Sequence, residues 1–245
     1  MTGGNSGIRR AAAILFVSGG ANVAVAAKRR QELDDVVAEI EGADGRAIAI
    51  PTDISAPVAA AEMMDIITSE FGRLDAAFNN AGATGKWGAI DTLDVDDFDK
   101  ATGINLRGTF LCVKAEVARM RVQGVGGAIV NTSSWLSQGA MLGSVLYSMT
   151  KAVLDAMTRA LSLECAELGI RINNVSPGVV DTPMTAGGTD EQTLSALIAH
   201  TPTKRLTTAD EIAEAAIWLC SPRASGMTGQ AILVDGGYAI PGNRF

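Results

Sequence analysis

Tyr147 and Lys151 stand four residues apart, and Ser134 lies thirteen residues upstream of the tyrosine. Residues four apart on a helix share one face, so the phenol and the ammonium can meet at a common point. A nearby ammonium favours the phenolate and is expected to lower the tyrosine pKa from about 10 towards working pH. The Ser134 hydroxyl can reach the same point. Together these groups make a proton-transfer site built without histidine. The single histidine of the chain, His200, reads as structural or solvent-facing.

The rest of the chain must position them. At 245 residues with 47% hydrophobic content, it reads as one domain, 1–245. A chain of this length buries roughly 70–75% of its unfolded surface, so a large core is available. The net charge of −7 excludes the basic footprint of a nucleic-acid binder. Cys112, Cys165 and Cys220 are sparse and far apart, as in buried thiols of a reducing, cytoplasmic compartment. The acidic stretch 91–99 lacks the glycine and glutamate of a calcium loop and reads as a solvated helix start, so no metal is expected. Residues 11–27 are uncharged after Arg9-Arg10, but Ser18-Gly19-Gly20 and Asn22 break the run, so neither a secretory leader nor a membrane span is expected.

Short apolar runs alternate with longer amphipathic ones. Strands are expected at 22–26, 46–51, 74–78, 127–132, 171–175 and 230–234. Helices are expected at 7–17, 30–40, 57–71, 95–122, 145–168 and 209–220. Thr208 and Glu211 form a capping box, and Ser55 is placed to start another helix. Alternation at this spacing implies an α/β fold, a doubly wound Rossmann-type parallel sheet with helices on both faces. The segment 183–205 is rich in Thr, Gly and Asp, with one apolar group at Leu194, Leu197 and Ile198. It reads as a mobile lid carrying a small helix, or else as an ordinary surface loop.

Gly3-Gly4-Asn5-Ser6-Gly7-Ile8 opens a helix, where glycines let backbone N–H groups approach a pyrophosphate. Two features depart from that fingerprint. A strand should precede it, yet only Met1 and Thr2 stand before Gly3, so the first strand is absent and the sequence reads as truncated at its start. Losing about four buried aliphatic side chains removes on the order of 10 kcal/mol, against a typical domain stability of about 5–15 kcal/mol. The second departure is Arg9, where a third glycine is expected; its bulk can obstruct helix–strand packing or reach the pyrophosphate. At the end of the second strand stand Ala27, Lys28, Arg29 and Arg30, with no carboxylate for a ribose 2′-hydroxyl. Cations able to pair with a 2′-phosphate favour NADP(H) over NAD(H).

These residues, with Asp53-Ile54, Asn79-Asn80-Ala81-Gly82, Asn105, Asn131-Thr132-Ser133-Ser134, Pro177-Gly178, Thr182 and Val234-Asp235-Gly236-Gly237, resemble the short-chain dehydrogenase/reductase family in its short single-domain branch. The resemblance spans essentially the whole chain. It implies an oxidoreductase moving a hydride between NADP(H) and a carbonyl or secondary alcohol. Tyr147 would be the acid/base, Lys151 would hold the nicotinamide ribose, Ser134 would bond the substrate oxygen, and Asn105 would place a water linking Lys151 to solvent. Gly3, Asn5, Ser6, Gly7 and Ile8 would face the pyrophosphate, Lys28 and Arg29 the 2′-phosphate. Asp53 and Ile54 would lie against adenine, and Asn80, Ala81 and Gly82 along the adenosine side. Pro177, Gly178, Val180 and Thr182 would hold the nicotinamide. The likeness also implies a homotetramer packed through the helices at 95–122 and 145–168. The rival reading is a cofactor-binding or oligomer partner impaired at the nucleotide end. Trp135, Met141 and Leu142, with the lid's three apolar residues, can form an apolar substrate pocket or belong to the core.

Overall fold

A computed structural model describes residues 1–3 and 7–240. Six parallel strands run through it: β1 (Val23–Ala27), β2 (Ala47–Pro51), β3 (Ala76–Asn79), β4 (Gly127–Thr132), β5 (Ile170–Pro177) and β6 (Ala231–Val234). They form a pair, β1-β2, and a set of four, β3-β4-β5-β6. Thr2 joins the two by bridging Ala26 on one side and Asn79 on the other. Its amide donates to the Phe78 carbonyl at 3.1 Å, and Gly3 donates to Ala26 at 2.9 Å. The sheet is thus parted between β1 and β3 and closed at 1–3. Among the described residues no full strand stands there.

Helices cover both faces. On one lie α3 (Ala59–Phe71), α5 (Thr109–Gln123) and α6 (Val145–Cys165), packed through Met63, Ile67, Cys112, Val113 and Cys165 onto Ala77, Ile129 and Ile172. On the other, α1 (Ile8–Ser18) and α9 (Ala209–Cys220) enclose Phe78, Val130 and Val175, while α2 (Arg30–Glu41) seats Leu33, Val36 and Ile40 on β1. The strands are buried on both sides, which is why they read as continuous apolar runs rather than alternating ones. The expected capping box is formed: Thr208 accepts from the Glu211 amide and Glu211 from the Thr208 amide.

Three expectations need correction. The helix expected at 95–122 is broken into α4 (Val95–Thr102), a π-helical turn (Gly103–Gly108) and α5. The wide turn carries Asn105 into the interior, where its side chain closes on the Ala83 backbone. Single π turns inside α-helices occur frequently at functional sites. Ser55 does not cap a helix; its hydroxyl donates to Asp53 Oδ1 at 2.6 Å, and α3 begins after Val58 with no side-chain cap. The segment 183–205 holds two helices, α7 (Pro183–Gly188) and α8 (Glu191–His200), the second capped by Asp190.

Candidate active site

The C-terminal ends of the strands open onto a cavity of about 650 Å³. Ser134 enters it just past β4, and Tyr147 and Lys151 enter from the first two turns of α6. Lys151 is buried, and its Nζ donates to the Thr132 carbonyl at 2.7 Å. That ammonium stands 5.5 Å from the centre of the Tyr147 ring. Asn105 is fully buried: its Oδ1 accepts from the Ala83 amide at 2.8 Å, and its Nδ2 donates to the Ala83 carbonyl at 2.8 Å and to Thr150 Oγ1 at 3.1 Å. It therefore clamps the chain leaving β3 against the helix that carries Tyr147 and Lys151.

The electrostatics differ from expectation. Burial pushes the Tyr147 phenol up to about 12, with the Ser134 hydroxyl pulling the other way. Burial also draws Lys151 down to about 8, opposed by the charge of Asp155. The tyrosine is not lowered by its lysine as the spacing suggested. Desolvation outweighs the pairing, because the amine is itself poorly solvated and engaged by Thr132.

Several of the residues expected to hold the nucleotide converge on the same edge. Gly7 has φ 59°, and a Cβ there would lie 2.9 Å from Thr182 Cγ2. Gly3 has φ 125°, with Ala81 N 3.1 Å from the position of a Cβ. A Cβ on Gly82 would touch both Asn105 Oδ1 and Lys151 Nζ, at 3.4 and 3.5 Å. Gly7 gives α1 no side-chain cap, so its first N–H groups are left to another acceptor. Gly7, Ile8, Asn80, Gly82, Pro177, Gly178, Val180 and Thr182 all line the cavity. Ala81 lies against Gly3, and Thr132 Oγ1 donates to Asn80 Oδ1 at 2.9 Å. Asn5 and Ser6 lie outside the described residues.

Lys28, Arg29, Asp53 and Ile54 sit apart from this cavity, past the ends of β1 and β2. Each cation there has a carboxylate: Lys28 pairs with Asp53 at 2.8 Å, Arg29 with Glu32, and Arg30 with Asp34 at 2.8 Å. Hydrogen bonds from Lys28, then Ser55, hold Asp53 down to about 2. Ile54 is buried against Gly108. Arg9 is the exception. It is fully buried, all three guanidinium nitrogens lack a hydrogen-bond partner, and burial lowers it to about 10, with Glu32 opposing and Arg29 adding to the shift. A dinucleotide fits these residues: a glycine-lined helix start for its diphosphate, and an unpartnered buried guanidinium towards the β1–α2 junction for a further anion.

Of the residues expected in a substrate pocket, Trp135, Met141, Leu142 and Leu197 line the cavity; Leu194 and Ile198 do not. The sequence reading missed Trp87, Met184 and Thr193, which also line it. It also missed a stack in which Tyr238 lies edge-on to both Trp135 and His200, each at 4.7 Å. These contacts join segments far apart in the chain, and no local spacing signals them. The three cysteines are free, and burial pushes the Cys112, Cys165 and Cys220 thiols up, so none is an activated nucleophile. Among the described residues no helix is long and apolar enough to cross a membrane.

Known proteins resemble this chain along nearly its whole length. A family model described as enoyl-(acyl carrier protein) reductase matches residues 3–239. The A-factor type gamma-butyrolactone 1′-reductase (1S-forming) of Streptomyces virginiae is 36% identical over 246 residues, covering 98% of this chain and 94% of that protein. A short-chain type dehydrogenase/reductase from Mycobacterium marinum superposes with a TM-score of 0.92 at 32% identity, covering 98% of this chain and 94% of that one. A 7α-hydroxysteroid dehydrogenase complexed with NADH and 7-oxo glycochenodeoxycholic acid gives 0.92 at 30% identity, covering 96% and 91%. With the parallel sheet, the glycine-lined helix start and the Ser134–Tyr147–Lys151 cluster, these matches show that the chain belongs to the short-chain dehydrogenase/reductase family of oxidoreductases.

Proposed function

We propose that the protein interconverts a carbonyl and a secondary alcohol with NADP(H) in preference to NAD(H). The observation that carries this reading is the meeting of Ser134, Tyr147 and Lys151 in one cavity with the residues from Gly7 to Thr182 that suit a nicotinamide nucleotide. The bound nucleotide supplies the hydride, and the protein supplies placement and a proton.

The Ser134 hydroxyl donates to the substrate oxygen and orients it towards Tyr147. Tyr147 gives its phenolic proton to that oxygen in reduction and takes it back in oxidation. Such general acid–base help is typically worth about 10²–10⁴-fold. Lys151, protonated, stabilises the phenolate left behind and holds the nicotinamide ribose. Asn105 fixes the Ala83 backbone beside Gly82, so the wall next to Lys151 keeps its shape, and it places the water that links Lys151 to solvent. Trp87, Trp135, Leu136 and Met141 give the substrate an apolar wall, and Met184 and Leu197 present the lid to it.

The preference for NADP(H) is supported at the β1–α2 junction. Ala27 offers no carboxylate to repel a 2′-phosphate. Lys28 and Arg29 can exchange their carboxylate partners for it, and the buried Arg9 charge lacks a hydrogen-bonded partner. Oligomerisation through α4, α5 and α6 is supported by their exposed apolar side chains, among them Val95, Phe98, Phe110, Val145, Met149 and Val153. A homotetramer in the reducing cytoplasm accommodates both that surface and the free thiols. The rival reading, a partner without turnover, draws no support from relatives named as reductases and dehydrogenases.

The test is consumption of NADPH against a panel of ketones and aldehydes, beside titrations of NADPH and NADH by fluorescence. Turnover on at least one carbonyl, with NADPH bound more tightly than NADH, is expected. Binding without turnover on any substrate contradicts the activity, and tighter NADH binding contradicts the cofactor preference.

A further inference from the structure

Three asparagines stand side by side in the sheet. Asn79 of β3 is in register with Asn131 of β4, and Asn131 with Asn174 of β5. All three are buried, in central strands where an apolar side chain would pack at lower cost. Their amides run head to tail. Asn79 Nδ2 donates to Asn131 Oδ1 at 3.1 Å, and Asn131 Nδ2 to Asn174 Oδ1 at 3.1 Å. Asn174 Nδ2 then donates to Asp155 Oδ1 at 2.7 Å. Thr158 strengthens the last link by donating to Asn174 Oδ1 at 2.7 Å. Aligned amides polarise one another, and such a row turns its N–H donors towards one end. Here that end is the carboxylate of Asp155, buried on α6 one turn beyond Lys151. Residues so spaced lie on one helix face. The second carboxylate oxygen of Asp155 has no hydrogen-bond partner.

We propose that Asp155, fixed by the asparagine row, is a positioning residue that keeps the Lys151 ammonium charged beneath Tyr147. This rests on the roles given above to Tyr147 and Lys151. The cavity itself favours a neutral amine, since burial draws Lys151 down, and Asp155 is the charge that opposes this. On α6, Asp155 lies one turn beyond Lys151 on the same face, and the Tyr147 ring centre stands 5.5 Å from the Lys151 Nζ; from β4 the Thr132 carbonyl accepts from Nζ and the Ser133 hydroxyl donates to the Lys151 carbonyl at 3.2 Å; from the loop after β3, Gly82 lies beside Nζ. Asp155 meets Asn174 from β5. Another buried carboxylate, Glu116 of α5, sits at the far end of the row, accepting from Asn79 Nδ2 at 2.9 Å.

The experiment compares pH profiles of kcat/KM for carbonyl reduction in wild type and Asp155→Asn, with NADPH binding and thermal unfolding recorded alongside. The asparagine keeps an acceptor for Asn174 and removes only the charge. The alkaline limb, where Lys151 loses its proton, is expected to move down by about one pH unit, the low end for loss of a close opposite charge. A folded variant whose limb stays in place, or which loses activity equally at every pH, overturns the proposal. If Asp155→Asn does not fold, Asn174→Ser, which shortens the donor to Asp155, carries the test: a limb moved down supports the proposal, and an unmoved one overturns it. Tyr147→Phe run beside them separates the two levels. Turnover retained in that variant sinks the underlying reading, whereas an inactive Tyr147→Phe with an unmoved Asp155→Asn limb sinks this inference alone.

Discussion

Burial drives the Tyr147 phenol up to about 12 and the Lys151 amine down to about 8, so the cavity alone favours both neutral forms. Neighbours oppose this: the Ser134 hydroxyl for the phenol and the Asp155 charge for the amine. Glu116 shows the same desolvation. Burial raises it to about 7, and the Asn79 amide only partly offsets this. Its folded pKa lies above the unfolded value of 4.5, so the stability it contributes is fully present below about pH 4.5 and is lost as pH rises through about 7. The loss is on the order of 3 kcal/mol. Urea unfolding across that window should therefore show a falling stability in wild type that is absent in Glu116→Gln; identical slopes would contradict the assignment. At this scale the sequence was legible where chemistry is local. Tyr147 and Lys151 share a face by helix period, and Ser134 stands at a fixed short distance upstream. Asp155 carries the same i,i+4 spacing, but its meaning depends on Asn174, and the asparagine row exists only once three strands are in register.

Elements set what these residues can reach. The α1 start is built for close approach: Gly7 sits at φ 59°, with Thr182 directly against the position of a Cβ. Gly7→Ala adds left-handed strain of about 1–2 kcal/mol and pushes on Thr182, so NADPH binding should weaken about tenfold or more while the fold persists. Calorimetric titration reading an unchanged Kd would contradict this role. The π turn at Gly103–Gly108 was not legible, because the apolar pattern of 95–122 runs on as if the helix were continuous. What breaks it is Asn105, whose amide finds the Ala83 backbone only in the folded chain. Strand positions, by contrast, followed from their apolar runs, with ends differing by a residue or two where fraying and pairing decide.

Across the whole molecule, the sheet is joined between β1 and β3 by Thr2, with β1-β2 on one side of it and β3-β4-β5-β6 on the other. The doubly wound layout was legible from alternation alone. The partition of the candidate groups was not: Ser134, Tyr147 and Lys151 share one cavity with Gly7 and Ile8, while Lys28, Arg29 and Asp53 form a separate ion-paired patch. The tetramer implied by the family resemblance is proposed to pack through the exposed apolar faces of α4, α5 and α6. Light scattering should give about four times the 25.3 kDa chain mass, and Phe110→Glu, at a half-exposed position on α5, should lower it. A monomer mass in wild type would contradict the assembly.

The central claim is that Tyr147 passes the proton. It is tested most directly by measuring turnover and NADPH binding in Tyr147→Phe, which deletes one hydroxyl and leaves the ring beside Lys151. Turnover lost by at least about a hundredfold, with NADPH affinity within about twofold of wild type, is the predicted result. Turnover at the wild-type rate would contradict it.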